Sequence, residues 1–271
     1  MTDIEQQRIV ANYESSQLRV ASLMLGGHLH FGYWDDDSAG IDLATAADRL
    51  SQFMIERTDI GPGQKLIDIG CGEGLAALRL AEAKGCNVDG VTISGLQRDT
   101  AAASSRRLGM EDRVRFHKCS ALALPFADRS YDAAWFIESI FHMGHRAALR
   151  EASRVLKPGA RLLLTDLPVL PNTTEKFMAF AHEYVLGTFV GKADYPKLLE
   201  EAGFELLTVD DITGNVMPWM TPKSRQSIEQ NKAAIREMVG DNVEELIDNW
   251  LFCMEYMSEQ LGYVLVSARK L

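Results

Sequence analysis

One short run of residues in this sequence has the composition of a ligand-binding turn. Gly70-Cys71-Gly72-Glu73-Gly74 follows an apolar run that ends in Asp68-Ile69 and precedes a segment with helical spacing of apolar residues. Glycines allow a tight turn and let a ligand contact bare backbone. A glycine-rich turn between a strand and a helix is also the setting in which nucleotides are bound. The chemistry to be expected here is therefore the binding of a nucleotide-like cofactor.

The spacing of the glycines narrows the choice of cofactor. A dinucleotide site would need a third glycine where the sequence has Leu75, whose side chain would crowd the contact between helix and strand. A phosphate loop would need Lys and Ser or Thr after its last glycine, and these are missing. Hydride transfer and phosphoryl transfer are both disfavoured, which leaves another nucleotide-like cofactor or a plain turn.

Composition excludes several classes of partner. The chain has 271 residues, 46% of them hydrophobic, and a formal net charge of −10. Such a charge disfavours nucleic acid, whose recognition depends on clustered Lys and Arg. Apolar runs fall short of the roughly 20 residues that cross a bilayer, and the acidic start Met1-Thr2-Asp3-Ile4-Glu5 is unlike a signal peptide. We expect a cytoplasmic protein that acts on a small molecule, not on a membrane.

The cysteines do not indicate a metal site. Cys71, Cys86, Cys119 and Cys253 show no CxxC spacing and no neighbouring histidine pattern. Four thiols in a chain of this size are typical of a reducing compartment. We expect reduced cysteines and no bound metal.

Between about Leu66 and Asp166, short apolar runs alternate with helical patterns, which predicts an α/β fold with a parallel sheet. After Leu167 the pattern becomes mostly helical, with a block over Pro222 to Met257. The predicted strands are Lys65 to Ile69, Asn87 to Ile93, Val114 to His117, Tyr131 to Ile137, Arg161 to Thr165, Phe204 to Val209 and Gly262 to Ala268. The last of these is expected to be antiparallel.

Three segments follow from this pattern. Residues 1–60 form an N-terminal helical cover, residues 61–166 the cofactor-binding core, and residues 167–271 helical lid segments with the last two strands. Open α/β sheets bind ligands at the carboxyl ends of their strands, so the lid is expected to lie there. The amphipathic segment from Ile4 to Leu25 either closes the site or packs on a second copy, which leaves a homo-oligomer open.

Several separate motifs resemble one enzyme family, and they occur in the same order from end to end. They are Leu29-His30-Phe31-Gly32-Tyr33-Trp34, the glycine loop, Gly90-Val91-Thr92-Ile93-Ser94 with Gln97, Ala123-Leu124-Pro125-Phe126 before Tyr131-Asp132, Glu138-Ser139 with His142-Met143, Arg154-Val155-Leu156-Lys157-Pro158-Gly159, and Gly262-Tyr263-Val264-Leu265. The sequence resembles the class I S-adenosylmethionine-dependent methyltransferases. Within that family it is similar to a natural-product tailoring branch typified by the rebeccamycin sugar O-methyltransferase.

The resemblance implies a fold and a set of cofactor contacts. The implied fold is a doubly wound, mostly parallel, seven-stranded Rossmann-like sheet with helical lid insertions. The implied contacts come from the glycine loop, the strand ends and the N-terminal cover. They are Asp68, Gly70, Gly72, Ser94, Gln97, Ser120, Ala121, Leu122, Glu138, and the cover residues His30, Tyr33 and Trp34.

The resemblance also locates the reacting centre at the ends of strands four and five. The branch has two adjacent histidines where this chain has Phe141-His142, and Asp166 matches its acid. His142 can act as a base because the ordinary pKa of an imidazole is about 6.5. Asp166 could orient this side chain. O-methylation is the leading hypothesis. The aromatic ring of Phe141 keeps other reactions open, namely C-methylation of a prenyl, alkene or aromatic acceptor with or without cyclisation, N-methylation, and a cyclase without methyl transfer.

The acceptor is expected to be bulky and apolar. Phe180, Tyr184 and Trp219 lie in the lid segments and would form an aromatic wall beside Phe141, with His145 as a further polar candidate. Aromatic residues at helical spacing are more often core, but a lid over the strand ends must turn some of them toward the cleft. Together these features predict a methyltransferase of secondary-metabolite or antibiotic biosynthesis.

Overall fold

A computed structural model describes residues 3–35, 37 and 39–271. Its seven strands are β1 Lys65–Ile69, β2 Asn87–Thr92, β3 Val114–Lys118, β4 Tyr131–Ile137, β5 Leu156–Asp166, β6 Phe204–Asp211 and β7 Val264–Lys270. They form one sheet in the order β3-β2-β1-β4-β5-β7-β6. The first five strands are parallel, and β7 runs antiparallel to β5 and β6. The predicted sheet and the antiparallel last strand are confirmed.

Ten α-helices surround this sheet in the described part of the chain. They are α1 Asp3–Tyr13, α2 Ser16–Met24, α3 Leu43–Arg57, α4 Leu75–Lys84, α5 Gly95–Arg107, α6 His145–Val155, α7 Glu175–Phe180, α8 Tyr195–Glu201, α9 Thr213–Val239 and α10 Val243–Gln260. A 3-10 turn covers Ile140–His142, and a π turn, Ala181–Val185, follows α7. In residues 3–35, 37 and 39–271, no helix has both the length and the apolar character needed to cross a membrane.

The helices cover both faces of the sheet, as a doubly wound fold requires. Successive residues of a strand point to opposite faces. Trp135 of β4 packs with the core formed by α3, α4, α9 and α10, whereas the next residue, Phe136, packs with α6 and α8 on the other face. Both side chains are fully buried. The central strands therefore contain apolar runs with residues buried on both faces, which is why they could be recognised from sequence.

Several boundaries differ from the sequence-based expectation, and the largest differences concern the last two helices and strand β5. The predicted helical block over Pro222 to Met257 is two helices, because Gly240 takes a φ of +66° and ends α9. The first of these starts at Thr213 and continues through two prolines, since Val216 and Met217 before them are buried in the core. Strand β5 also starts earlier than predicted, at Leu156.

The lid lies over the carboxyl ends of the strands and is tied to the N-terminal cover. Arg8 of α1 donates to both the side-chain and main-chain oxygens of Glu183 in the π turn. Leu170 N–H donates to the carbonyl of Gln260 at the end of α10. The division into a cover, a core and lid segments stays a prediction about organisation. The Arg8 contact joins the cover to the lid, and the Thr188 N–H, which donates to the carbonyl of Phe141, joins the lid to the core.

Candidate active site

The glycine loop forms a cradle that side chains could not share. Gly70, Gly72 and Gly74 have φ values of +88°, +53° and +82°. A Cβ at Gly70 would lie 2.4 Å from that of Ser139, and one at Gly74 would lie 2.4 Å from the ring of Phe116. A Cβ at Gly72 would meet only Leu29, at 3.3 Å. Gly70 and Gly74 are therefore needed because other parts of the protein pack directly against them. Gly72, between them, has open space beside its backbone.

Asp68 lies at the floor of a pocket beside this loop. The carboxyl group is buried, and burial raises its pKa to about 7. One of its oxygens, Oδ1, is buried without a hydrogen-bond partner among the described residues. A buried carboxylate oxygen without a donor is costly, so the site fits a ligand that brings a cationic N–H group.

Gln97 provides a second unpartnered atom at the β2 side of the pocket. Its Oε1 accepts a hydrogen bond of 2.7 Å from the Thr92 hydroxyl, which orients the amide group. Its Nε2 is then a buried donor with no acceptor in the described chain. An amide donor at this position fits a hydroxylated ligand such as a ribose.

Ser94, predicted to contact the cofactor, has a different role. Its Oγ accepts from the N–H of Gln97 as the N-cap of α5 and donates to Glu14 at 2.8 Å. The hydroxyl group is fully buried and both of its bonding functions are used. Ser94 therefore caps the helix that carries Gln97 and anchors the residue that follows α1, and it lies outside the pocket lining.

The third side of the pocket is formed after β3. Ser120 and Ala121 line it together with Cys119, as predicted for the far end of the cofactor, but Leu122 does not. The N–H of Leu122 donates to the Ser120 hydroxyl, which turns this residue back into the loop. Burial raises the pKa of the Cys119 thiol to about 11, so it is an uncharged wall residue.

The N-terminal cover reaches the pocket with the predicted His30 and with four side chains that were not predicted. Its lining side chains are Ile9, Tyr13, His28, Leu29 and His30. Burial lowers the pKa of His28 to about 2 and that of His30 to about 4, so both imidazoles are neutral. Neutral rings are compatible with a cationic ligand beside them, whereas charged ones would repel it.

Tyr33, Trp34 and Trp219 are placed away from the pocket, which corrects their predicted roles. The N–H groups of Tyr33 and Trp34 donate to carbonyls of Ala46 and Asn215, so the chain turns outward after Phe31. Trp34 then stacks on Trp219 at 6.0 Å between ring centroids. This pair fills the core between the cover and α9, and none of the three residues lines the cofactor pocket or the cavity described next.

A large cavity of about 710 Å³ adjoins the cofactor pocket. Phe141, Phe180 and Tyr184 line it, in agreement with the predicted aromatic wall. Its volume lies within the roughly 300–1,000 Å³ typical of small-molecule sites. Four residues, Tyr13, Leu29, Glu138 and His142, line both spaces, which identifies the boundary where a cofactor and an acceptor would meet.

Glu138 forms a rigid part of this boundary. It follows β4 with a φ of +46°, a conformation that is rare for a residue with a side chain. Its Oε1 accepts from the N–H of Phe31 at 2.6 Å and from the Tyr263 hydroxyl. Burial raises the pKa of the carboxyl group to about 8. The strained backbone is held in place by these contacts, as is common in functional sites.

His142 is held in one tautomer. Its Nδ1 lies 2.9 Å from the main-chain oxygen of Leu186. A carbonyl oxygen can only accept, so Nδ1 carries the proton and the lone pair of Nε2 stays free. Burial lowers the pKa of the imidazole to about 4. At neutral pH this side chain is an uncharged proton acceptor on the boundary of the two spaces.

Asp166 does not orient His142, contrary to expectation. Its Oδ2 accepts from His145 Nε2 at 2.6 Å and from the Tyr195 hydroxyl at 2.7 Å. All three side chains are nearly inaccessible, and His145 lies outside the acceptor cavity. The predicted pairing failed because Leu186, rather than a carboxylate, takes the Nδ1 proton of His142, while α6 and α8 bring their own donors to Asp166.

Several residues of the site had escaped recognition in the sequence, among them one aromatic residue on each of two helices. Tyr13 of α1 touches the ring of His142 edge-on at 5.5 Å between centroids, and burial raises its pKa above the usual range. Trp250 of α10 lines the acceptor cavity. Both belong to amphipathic helices far from the strand ends in sequence. The amphipathic pattern indicated a buried face but not what that face would cover.

Comparison with known proteins identifies the family. Residues 67–164 match the family described as Methyltransferase domain. The (+)-O-methylkolavelool synthase of Herpetosiphon aurantiacus is 34% identical over 92% of this chain and 88% of its own length. This chain belongs to the class I S-adenosylmethionine-dependent methyltransferases. The cofactor is S-adenosylmethionine, and the methyltransferase acts in secondary metabolism.

Two further relatives show the breadth of this family. The methyltransferase is 34% identical to the 27-O-demethylrifamycin SV methyltransferase of Amycolatopsis mediterranei, over 90% of each chain. Among solved structures it is similar to the 4+2 cyclase SpnF, with a TM-score of 0.83 and 28% identity over 98% of this chain and 96% of that one. One shared architecture thus supports methyl transfer in some relatives and a cyclisation in another.

Proposed function

We propose that this methyltransferase methylates a hydroxyl oxygen of a bulky, largely apolar small molecule, with His142 as the proton acceptor. The observation that carries the proposal is the position and state of this one side chain. It lines both the cofactor pocket and the acceptor cavity, and its Nδ1 bond to Leu186 leaves the Nε2 lone pair free. An alcohol must lose its proton on methylation, and a neutral imidazole at the boundary can take it.

The cofactor residues act by binding and orientation. Asp68 and Gln97 have the unpartnered buried atoms that would receive the amino-acid and ribose groups of S-adenosylmethionine. When bound there, S-adenosylmethionine supplies a methyl group on a positively charged sulfur. Gly70 and Gly72 provide backbone approach, while Ser120 and Ala121 line the far end of the pocket.

The acceptor residues act by position and by water exclusion. In the proposed reaction the acceptor oxygen takes the methyl group while its hydroxyl proton moves to Nε2 of His142. The carbon–sulfur bond would break, with its electron pair going to sulfur, and S-adenosylhomocysteine would leave as a neutral thioether. Methyl transfer gains most from an in-line arrangement in a dry site. Phe141 and Phe180 form apolar walls, and Glu138 is fixed between the two spaces by Phe31 and Tyr263.

Oxygen is favoured over carbon and nitrogen by two observations. Methylation of an alcohol needs a base beside the acceptor, and His142 provides one. The ring of Phe141 was the reason to consider a carbocation intermediate, but one face of this ring is stacked on Phe189, at 5.1 Å between the ring centroids. The names of the relatives from Herpetosiphon aurantiacus and Amycolatopsis mediterranei both describe O-methylated products or positions. We therefore rank C- and N-methylation below O-methylation.

The similarity to SpnF supports a second candidate, a cyclisation within the same cavity. The two reactions are separated by incubating the full chain with a polycyclic alcohol and S-adenosylmethionine labelled in its methyl group. We expect the label on the alcohol oxygen, as an ether. Consumption of a polyene substrate to an isomer of equal mass, with no label incorporated, would favour the cyclase instead.

A further inference from the structure

We infer that Trp250 is a second anchoring point for the acceptor, where its indole N–H donates to an oxygen other than the one methylated. The inference rests on the proposed function, because it takes the 710 Å³ cavity as the acceptor site. Trp250 lies on α10 and lines this cavity. Its Nε1 is buried and has no acceptor among the residues that the structure describes.

An indole N–H in a protein interior ordinarily has a partner. In this chain Trp135, which is also buried, donates to the Thr58 hydroxyl at 2.9 Å. Leaving such a donor unpaired is unfavourable, because the group has lost its hydrogen bonds to water. Trp34 has an unpaired N–H as well, but it stacks on Trp219 outside the acceptor cavity. Among the described residues with a buried, unpaired side-chain donor, Trp250 is the one that lies in the wall of the space that an acceptor would fill.

The neighbours of Trp250 do not offer an internal acceptor. Cys253, one turn farther along α10, directs its thiol toward the sulfur of Met257 at 3.7 Å. Burial raises the pKa of this thiol to about 12, so it is no anionic partner. Asn249, beside Trp250 in sequence, also lines the cavity. On this helix the wall also includes Leu246, Phe252 and Met254.

The charges around the cavity restrict the oxygen to a neutral one. The described residues that line it include no lysine and no arginine. Its one carboxyl group, that of Glu138, has a raised pKa because of burial. A phosphate or carboxylate would be desolvated here without a cation, which is costly. The partner of Trp250 is therefore a hydroxyl, ether or carbonyl oxygen on the carbon skeleton of the acceptor.

A pair of bicyclic diterpene alcohols tests this inference. Manool has one tertiary hydroxyl on its side chain, and sclareol has the same side-chain alcohol and a second hydroxyl on the ring system. Binding of each to the full chain is measured by calorimetry. We expect sclareol to bind about five- to tenfold more tightly, as one additional hydrogen bond in a dry site would give.

The variant Trp250→Phe keeps an aromatic wall and removes the donor. It should reduce sclareol affinity to that of manool, and the matched variant Trp219→Phe, outside the cavity, should keep the difference. In addition, the indole proton resonance that is lost in Trp250→Phe should move downfield on addition of sclareol but not of manool. Equal affinities in the unmodified protein, or a difference that survives in Trp250→Phe, would overturn the inference.

These outcomes are distinct from a failure of the proposed function, because binding is measured without turnover. A Trp250-dependent preference without any methyl transfer to oxygen would leave the anchoring point in place and refute O-methylation. Methyl transfer to both alcohols with no effect of Trp250→Phe on binding would support O-methylation and refute the anchoring point.

Discussion

The main-chain oxygen of Leu186 lies 2.9 Å from Nδ1 of His142 and fixes which nitrogen of that imidazole carries the proton. Leu186 is the residue after the π turn and has a φ of +57°, so the carbonyl is aimed by an unusual backbone conformation. The lid therefore does more than close the cavity. It sets the tautomer of the residue that we propose as the proton acceptor.

Cofactor affinity should depend on the ionisation of Asp68. Burial raises the pKa of this carboxyl group to about 7 in the free protein. The ammonium group of S-adenosylhomocysteine would pair with the ionised form, so affinity should fall about tenfold for each pH unit below 7 and level off above it. Calorimetry in two buffers of different ionisation enthalpy should detect proton release on binding near pH 6.

Asp68→Asn provides the control for that measurement. It keeps the shape of the side chain and removes its charge, so its affinity should be lower and independent of pH. If the unmodified protein binds S-adenosylhomocysteine equally well on both sides of pH 7, Asp68 does not contact the ammonium group.

Gly72→Val should abolish cofactor binding without unfolding the chain. The position has a φ of +53°, and a Cβ there would meet only Leu29, at 3.3 Å, while the branched side chain would enter the pocket. Gly109→Val is the matched control, since Gly109 has a φ of +64° with no atom within 4 Å of its added Cβ. Both variants carry backbone strain, but only the first should lose affinity for S-adenosylhomocysteine, by roughly tenfold or more. Equal affinities in the two variants would contradict the placement.

Tyr195→Phe should affect stability rather than turnover. Its hydroxyl donates to Asp166 at 2.7 Å inside a nearly inaccessible cluster. Removing one donor from a buried carboxylate should lower the free energy of unfolding by about 1–3 kcal/mol. Denaturant unfolding measures this effect, and kcat per folded molecule should change little. A large fall in kcat with unchanged stability would show that Asp166 acts in the reaction after all.

Acceptors with a phosphate group should be excluded. The lining of the acceptor cavity offers no lysine or arginine to compensate a diphosphate. We expect geranylgeraniol to compete with the acceptor, whereas geranylgeranyl diphosphate, with the same hydrocarbon chain, should not. Competition by the diphosphate at similar concentration would indicate a cationic site that the described residues do not provide.

The parts of the fold that are governed by local patterns could be predicted from the sequence. The strand β1, the glycine loop and β4 have continuous apolar runs or glycine spacings that leave few alternatives. The positions of Phe141 and His142 at a strand end followed from the same reasoning. Parallel strands present their carboxyl ends at one edge, so residues there converge even when they are distant in sequence.

The directions of individual side chains could not be predicted in this way. Whether Trp34 faces the cofactor or α9 depends on where the chain turns after Gly32, and a Cβ at that glycine would lie 2.6 Å from the Trp34 ring. Asp166 had two histidines within reach in sequence. Asp166 pairs with His145, because Leu186 accepts the Nδ1 proton of His142 and α8 brings the Tyr195 hydroxyl to Asp166 as a second donor. The direction of such a side chain depends on contacts between segments that are distant in sequence, and no sequence pattern shows which segments will meet.

Removal of the imidazole tests the role of His142 as the proton acceptor. The rate of label transfer from S-adenosylmethionine to the hydroxyl of manool or sclareol is compared for the unmodified chain and for His142→Ala, with and without added imidazole. We expect the variant to lose at least about a hundredfold in kcat, to retain alcohol affinity in calorimetry, and to recover part of its rate with imidazole. In the unmodified chain, the part of the fall in kcat at low pH that is due to protonation of His142 should occur near pH 4. The imidazole is a neutral base above its lowered pKa. An unchanged rate in His142→Ala would contradict the central claim and leave positioning alone as the source of catalysis.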